Sequence, residues 1–253
     1  MTEVVLDLRE GVAILTIDRP GARNAINLAT MDALDHALDA AADADVLVIR
    51  GSGDRAFISG GDLKELAKIR THEAAVEMAV RMRRLCDRIA TFPAPVIAAL
   101  NGHALGGGAE VAVAADIRVA ADDVRIGFNQ ADLAIMPAWG GAERLTALVG
   151  RAQALLLTTT GEKLGTAEAH RIGLIDRVYS RAVFEGSWLA LAYRIAASPG
   201  RPIKSVIASA APHHHPAGER SATAAFATLW TSEAHWAAVG DLAGNSRPGE
   251  QLP

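Results

Sequence analysis

Glu110 stands two residues after a run of three glycines, Gly106 to Gly108, in the middle of the chain. Before them, residues 96–100 form a short apolar run bounded by a proline and an Asn-Gly pair, which is typical of a strand buried on both faces. Glycines lack a Cβ and let a ligand approach the backbone N–H groups, and the first turn of a helix binds negative charge. Glu110 can therefore stabilise the dipole of the helix that begins there, or it can transfer protons.

A second glycine turn, Gly60-Gly61, precedes Asp62 and a helical pattern. Asp62 is a favourable residue to cap that helix, because a carboxylate accepts hydrogen bonds from the N–H groups of the first turn. Each of the two turns follows a strand-like segment. Two such turns can aim backbone N–H groups at one developing oxyanion, so we expect them to meet in the fold.

The elements that must position these turns alternate between strands and helices. Residues 4–8 and 12–17 predict a hairpin with Gly11 at a positive φ, and residues 71–89 predict a helix. This alternation favours a layered α/β core. From Gly141 onward the pattern is mostly helical, and we expect that part to serve packing or subunit contact rather than chemistry.

Composition and charge limit the classes of protein to which the chain can belong. The 253-residue chain is 50% hydrophobic and 21% charged, which is typical of a globular domain. A formal charge of −4 and a pI near 6.1 give no electrostatic case for a nucleic acid or an anionic membrane as partner. The amino terminus begins as an acidic strand rather than as a signal or transit peptide, and no apolar run reaches about 18 residues. A cytoplasmic protein that does not cross a membrane is expected.

The cysteine and histidine content of the chain predicts neither a catalytic thiol nor a metal site. Cys86 is the single cysteine, and its helical surroundings predict a small core residue in a reducing compartment rather than a catalytic thiol. Three adjacent histidines, 213–215, stand in a proline-flanked loop. Three consecutive side chains cannot all face one metal on a regular element, so we predict a solvated loop and no metal site.

Four segments together resemble the crotonase superfamily, the enoyl-CoA hydratase/isomerase family, over nearly the whole chain. These are AFISGGDLKEL (56–66), PVIAALNGHALGGGAEVAVAADIRVA (95–120), MPAWGGAERL (136–145) and GLIDRV (173–178). The resemblance implies an α/β fold, a crotonase-type superhelix of ββα units over residues 1–190, with a helical trimerisation region over residues 191–253. It also implies an acyl-CoA thioester as substrate, no separate cofactor, and a homotrimer or a dimer of trimers.

The resemblance also assigns the site residues. By motif match, the two N–H groups that bind the thioester oxygen fall on Gly61 and Gly107, and the first catalytic glutamate falls on Glu110. The family's second catalytic glutamate falls on Gln130, so the chain departs from the family there. Further substrate-binding positions are expected at Ala56, Ile58, Gly60, Asp62, Leu63, Trp139 and Gly140.

Two questions follow from departures of this kind. Asp132 can share the face of Gln130 if residues 131–133 are extended, but not if they are helical. The family's basic carboxyl-terminal run, which helps to hold the CoA phosphates, is replaced by LAGNSRP (242–248), where Arg247 is the only cation. The remaining candidates for phosphate contact are Arg23, Arg55 and Lys64.

The expected function is that of an enoyl-CoA hydratase or isomerase, and the sequence leaves the reaction open. Gln130 can hold water but cannot exchange protons, and loss of one acid/base group costs on the order of 10²–10⁴ in rate. Slow hydration and a double-bond shift by Glu110 alone both fit. Decarboxylation of a malonyl-type thioester needs chiefly an oxyanion hole, and binding of acyl-CoA without turnover is a further alternative. Trp139 either narrows the acyl pocket or anchors the core or an interface.

Overall fold

Two sheets, one large and one small, form the centre of the molecule. The computed structural model describes residues 3–210 and 216–244. Within them the larger sheet contains, in spatial order, β1 (Val4–Arg9), β2 (Val12–Ile17), β3 (Val46–Gly51), β5 (Val96–Leu100), β7 (Ile117–Ala121) and β10 (Arg177–Tyr179). The smaller sheet contains β4 (Ala56–Ile58), β6 (His103–Leu105), β8 (Arg125–Gly127) and β9 (Lys163–Gly165).

The larger sheet is parallel except at one edge. Strands β2, β3, β5, β7 and β10 run parallel, and β1 joins β2 as an antiparallel hairpin. The hairpin turns at Glu10 and Gly11, with φ angles of 47° and 81°, so the positive φ predicted at Gly11 is confirmed. All five residues of β5 are buried, as expected for a parallel strand covered on both faces.

A ββα order repeats along the chain. The helices of this part are α1 (Leu28–Ala40), α2 (Leu63–Leu66), α3 (His72–Ala90), α4 (Gly107–Ala114) and α5 (Gly141–Thr160). Each repeat places one strand in the larger sheet, the next in the smaller sheet, and then one or more helices. Strands β3 and β4 lead to α2 and α3, β5 and β6 lead to α4, and β7 and β8 lead to α5. The repeat is the ββα architecture that the sequence resemblance implies.

The part after α5 is mostly helical, as predicted, but its divisions differ from the sequence pattern. Its helices are α6 (Thr166–Arg171), α7 (Phe184–Ala196), α8 (Gly200–Ala210), α9 (Pro216–Trp230) and α10 (Glu233–Gly244). The tail reads as one helix from about residue 222 to 242, yet a turn at Thr231 and Ser232 divides it into α9 and α10. The division of the chain at residue 190 stays a prediction, and that residue lies inside α7.

The core contains Cys86, which is fully buried. Burial raises the pKa of its thiol to about 12, so the group is protonated and inert at neutral pH. Within the described ranges, no helix is both long and apolar enough to cross a membrane. His213 to His215 and Arg247 lie outside the described residues.

Candidate active site

A cavity of about 100 Å³ lies where the two glycine turns meet. Its walls come from the loop before α2, the start of α4, the loop before α5, a 3₁₀ helix over Asn129–Leu133, and α9. The cavity brings together seven of the predicted site residues, namely Gly60, Gly61, Leu63, Gly107, Glu110, Gln130 and Trp139. The expectation that the two turns meet is therefore fulfilled by the fold.

The two glycine turns touch each other through their backbones. A Cβ placed on Gly60, whose φ is +112°, would lie only 3.5 Å from the N atom of Gly107. Ile26 brackets the first turn: its N–H donates to the Gly60 carbonyl at 2.8 Å, and the Asp62 N–H donates to its carbonyl at 2.8 Å. Gly61 lies between these two bonds, and Gly107 is the first residue of α4. Over residues 3–210 and 216–244, neither the Gly61 nor the Gly107 N–H donates to a protein acceptor.

Glu110 is held from three directions. It is only 2% exposed, and its Oε1 accepts from Nε2 of Gln130 at 2.9 Å. Its Oε2 accepts from the backbone N–H groups of Trp139 and Gly141, at 2.7 and 2.9 Å. Burial raises the pKa of Glu110 to about 7, although the hydrogen bonds from Gly141, Trp139 and Gln130 favour the charged form and oppose the rise. A carboxyl group with such a pKa both accepts and donates protons readily at neutral pH.

Gln130 sits on the 3₁₀ helix beside Glu110 and is buried. Its Nε2 is engaged with Glu110, whereas its Oε1 is buried and has no hydrogen-bond partner within the described parts of the chain. The same is true of Oδ1 of Asn129, which also lines the cavity. A buried acceptor without a partner is costly, so these two oxygens favour a ligand or water that donates a hydrogen bond.

The question about Asp132 is answered by the same 3₁₀ helix. Since residues 131–133 are helical, Asp132 turns away from Gln130, and its carboxylate lies 3.8 Å from the Lys163 ammonium group at the surface. Its side chain is 43% exposed. Asp132 therefore does not supply a second carboxylate to the cavity.

Trp139 covers both glycines of the site. A Cβ placed on Gly107 would lie 2.0 Å from Cζ3 of the indole, and one placed on Gly61 would lie 3.8 Å from Cζ2. The indole is thus packed against the two residues whose N–H groups remain unengaged. Trp139 lines the cavity and also belongs to the buried hydrophobic core, so both interpretations given to it by the sequence stay predictions.

Four of the predicted substrate-binding positions are not among the described residues that line the cavity, although they lie near such residues in the chain; these are Ala56, Ile58, Asp62 and Gly140. Ala56 and Ile58 are buried in β4. The Asp62 carboxylate caps α2 through the Lys64 N–H at 3.2 Å and pairs with Arg19 at 2.9 Å, so it serves the turn rather than the cavity. Gly140, at φ 87°, is the residue before α5 and allows the chain to turn between Trp139 and that helix. The three predicted phosphate-contact candidates, Arg23, Arg55 and Lys64, are exposed.

Helix α9 belongs to the part of the chain expected to serve packing or subunit contact, and it also lines the cavity, which the sequence analysis did not predict. Phe226 and Trp230 of that helix line the cavity, together with Met78 of α3. The Trp230 Nε1–H donates to the Ile69 carbonyl at 2.8 Å, which fixes the indole in place. The spacing of Phe226 and Trp230 by one helical turn is the only sequence signal for this role, and it is equally typical of a helix that packs on a core.

A buried carboxyl group beside two unengaged backbone N–H groups, on a repeated ββα framework, is the arrangement expected of an enzyme that stabilises a developing oxyanion. Comparison with known proteins gives its family. Residues 7–232 match the enoyl-CoA hydratase/isomerase family, and the chain belongs to that family.

Relatives and solved structures agree with this assignment. The chain is 36% identical over 181 residues to the short-chain-enoyl-CoA hydratase of Clostridium acetobutylicum, which covers 70% of this chain and 69% of the relative. It is 38% identical over 178 residues to the crotonyl-CoA hydratase of Syntrophomonas wolfei, which covers 69% of this chain and 68% of the relative. The crystal structure of an enoyl-CoA hydratase from Bacillus anthracis superposes with a TM-score of 0.80 at 28% identity, covering 96% of both chains.

Proposed function

We propose that this protein processes enoyl-CoA thioesters as a hydratase or isomerase, with Glu110 as the group that moves protons. The observation that carries the proposal is the position of Glu110: it is buried, it has a pKa of about 7, and it shares a cavity with the unengaged N–H groups of Gly61 and Gly107. The printed activities of the relatives support an enoyl-CoA as the substrate class. The chemistry requires no cofactor beyond the CoA thioester itself.

The N–H groups of Gly61 and Gly107 would bind the thioester oxygen. That oxygen gains negative charge when the double bond accepts an electron pair, and donors held in a dry cavity stabilise such charge far better than water does. In mutational work on other enzymes, one donor of this kind contributes about 10²–10³ in rate. Because neither N–H is engaged within residues 3–210 and 216–244, no hydrogen bond between these residues has to break before the substrate binds.

Hydration by a single carboxylate conserves all atoms and charges. Water bonds to C3 of the enoyl thioester as its proton passes to the Glu110 carboxylate, and the electron pair of the double bond moves to the thioester oxygen. Glu110 then returns the proton to C2, and the thioester carbonyl forms again. Gln130 would hold the water through Oε1 while its Nε2 donates to Glu110 at 2.9 Å.

Isomerisation uses the same residues without water. The Glu110 carboxylate removes a proton from the carbon next to the double bond, the charge moves to the thioester oxygen, and Glu110 returns the proton at the other end of the allylic system. Decarboxylation of a malonyl-type thioester is less well supported. Its substrate carboxylate would lie beside Glu110, which would then have to stay protonated, and the two relatives named above are hydratases by their printed names.

The proposal is tested with a panel of enoyl-CoA and malonyl-type CoA thioesters, with products identified by mass spectrometry. We expect turnover of an enoyl-CoA that falls at least about 10²-fold in Glu110→Gln, since the amide cannot exchange protons. Glu168→Gln removes a carboxylate from an exposed ion pair with Arg171 and is the matched control. Turnover that survives Glu110→Gln would contradict the role of Glu110, and binding of acyl-CoA without turnover would identify a carrier.

A second variant, Gln130→Glu, is assayed with the same panel of thioesters. It places a second carboxyl group beside Glu110 with little change in volume, and two close carboxyl groups resist ionising together, which keeps one of them protonated. If hydration by the parent is limited by its single carboxylate, the variant should hydrate at least about tenfold faster, equal to about 1.4 kcal/mol of barrier. An unchanged hydration rate in a folded variant that binds acyl-CoA would favour isomerisation as the reaction.

A further inference from the structure

The cavity is small for a ligand site, and Trp139 forms the wall nearest to the proposed oxyanion donors. Its volume is about 100 Å³. For comparison, an apolar cavity of about 150 Å³ is large enough for benzene. The space beside Glu110 therefore matches an acyl group of a few carbon atoms, and a medium or long acyl chain would have to displace part of the wall.

Trp139 is fixed in this position on both sides of its backbone. Its N–H donates to Oε2 of Glu110 at 2.7 Å, and its carbonyl accepts from Nη1 of Arg144 at 3.1 Å. The residue is only 6% exposed, and its indole fills the space directly over Gly107. Because the indole is packed in the buried core, a longer chain could move it only by displacing neighbouring side chains.

The indole therefore lies where the first carbons of an acyl group would extend from the thioester. With the thioester oxygen at the N–H groups of Gly61 and Gly107, the carbons next to the carbonyl lie between those glycines and Glu110. The Trp139 ring contacts the same two glycines, as the close approach of Cζ3 and Cζ2 to their Cβ positions shows. Phe226 and Trp230 border the same cavity but belong to α9, a separate element.

We propose that Trp139 determines specificity and restricts the substrate to short acyl chains, of about four carbons, by closing the cavity beside Glu110. This inference rests on the proposed function, since it takes the thioester oxygen to bind at Gly61 and Gly107. The side chain is separable from catalysis, because substitution at Trp139 removes the indole and keeps the backbone N–H that binds Glu110.

The test compares four-carbon and ten-carbon substrates in the parent and in Trp139→Ala. A hydrophobic wall discriminates by about 10–200-fold for one methylene, so the parent should show a ratio of kcat/KM in favour of the four-carbon enoyl-CoA of at least about 100. The variant should lower that ratio at least about tenfold, mainly by a gain on the ten-carbon substrate. Binding of butyryl-CoA and decanoyl-CoA, which have no double bond to react, is measured by calorimetry and should shift in the same direction.

Two further variants keep the result interpretable. Trp188→Ala removes an equally buried indole outside the cavity and should leave the chain-length ratio unchanged. If Trp139→Ala does not fold, Trp139→Phe is measured in its place. The smaller ring should also lower the ratio of kcat/KM for the four-carbon over the ten-carbon substrate, by less than alanine would.

The outcomes separate this inference from the proposed function. A parent that turns over or binds the ten-carbon thioester as well as the four-carbon one overturns the role of Trp139 and leaves the proposed function intact. A ratio that changes in Phe226→Ala but not at Trp139 overturns it as well and assigns the limit to α9. A parent that binds butyryl-CoA in preference to decanoyl-CoA and turns over neither enoyl thioester overturns the proposed reaction, while the role of Trp139 in binding stands.

Discussion

At the scale of single residues, Glu110 is subject to two opposing requirements. Catalysis needs a carboxyl group poised near neutrality, and burial supplies that by raising its pKa from 4.5 to about 7. The same burial makes the charged form costly to keep in the folded protein. The hydrogen bonds from Trp139, Gly141 and Gln130 limit this cost without removing it.

This cost predicts a pH-dependent stability difference between the parent and Glu110→Gln. The folded state holds the Glu110 proton more tightly than the unfolded state, so the stability it contributes is present below pH 4.5 and is lost as the pH rises to about 7. Glutamine mimics the protonated acid and avoids the loss. The free energy of unfolding of the variant minus that of the parent should therefore be about 3 kcal/mol larger at pH 8 than at pH 4.5. Urea denaturation of both proteins at the two pH values measures this difference.

Glu168→Gln is a suitable comparison, because Glu168 is exposed and its hydrogen bond to Arg171 lowers its pKa. The difference in free energy of unfolding between Glu168→Gln and the parent should change little with pH. Any change should favour the parent as the pH rises, which is the opposite of the change expected for Glu110→Gln. A difference between Glu110→Gln and the parent that is equal at both pH values would show that Glu110 ionises normally, against the proposed acid/base role.

The sequence predicts the residues of the site better than it predicts their contacts. Three glycines before a helix place Glu110 correctly, since only glycine allows the observed approach of Trp139 to Gly107 and of the Ile58 carbonyl to Gly108. Two of the three donors to Glu110 are backbone N–H groups, of Trp139 and Gly141. Every residue except proline carries such a group, so no side-chain pattern distinguishes these positions.

At the scale of elements, the close contact between α4 and the loop before α5 can be measured directly. Gly107 and Gly108 both begin α4 and lack room for a Cβ, but for different reasons. At Gly107 the Cβ would meet the Trp139 indole at 2.0 Å, whereas at Gly108 it would meet the backbone carbonyl of Ile58 at 1.9 Å. A side chain can be removed by substitution, and a backbone carbonyl cannot.

We therefore expect Gly107→Ala to destabilise the parent by about 1–3 kcal/mol, the usual cost of overpacking. In the Trp139→Ala background the same change should be neutral or slightly stabilising, because alanine favours a helix over glycine by up to about 1 kcal/mol. The coupling energy of the cycle, from urea denaturation of the four proteins, should be at least about 1 kcal/mol. Gly108→Ala should stay destabilising in both backgrounds. Additive effects of Gly107→Ala and Trp139→Ala would show that the indole does not lie over Gly107.

Elements with a strong local pattern are predicted well, and elements made by tertiary pairing are not. The buried strand β5 and the helix α3 stand out by composition and periodicity. Strand β6 has three residues within a segment that reads as a glycine-rich turn, and it is a strand because β4 and β8 pair with it on either side. The short length of such strands leaves no alternation to detect.

At the scale of the whole molecule, the surface carries apolar residues that a monomer would expose. Ile203 and Ile207, one turn apart on α8, are 49% and 65% exposed, and Leu155 and Leu156 on α5 are 58% and 49% exposed. Lys204 of the same helix is engaged with the Asp116 carboxylate at 2.6 Å, and the two isoleucines line an open apolar groove beside that carboxylate. Apolar surface of this kind marks protein–protein contact.

We therefore predict a homotrimer or a dimer of trimers that buries Ile203 and Ile207 of α8. Light scattering should return a mass three or six times the chain mass of 26.4 kDa at micromolar concentration. The double variant Ile203→Asp and Ile207→Asp should shift the mass toward the single chain, because burial of charged side chains without partners costs several kcal/mol at each subunit contact. Leu8→Asp changes an equally exposed leucine on the edge strand β1 and should leave the mass unchanged. A parent that behaves as a monomer would contradict the prediction outright. A trimer that survives the double variant would show that the interface is another apolar surface and not α8. The exposed leucines of α5 would then be the next residues to substitute.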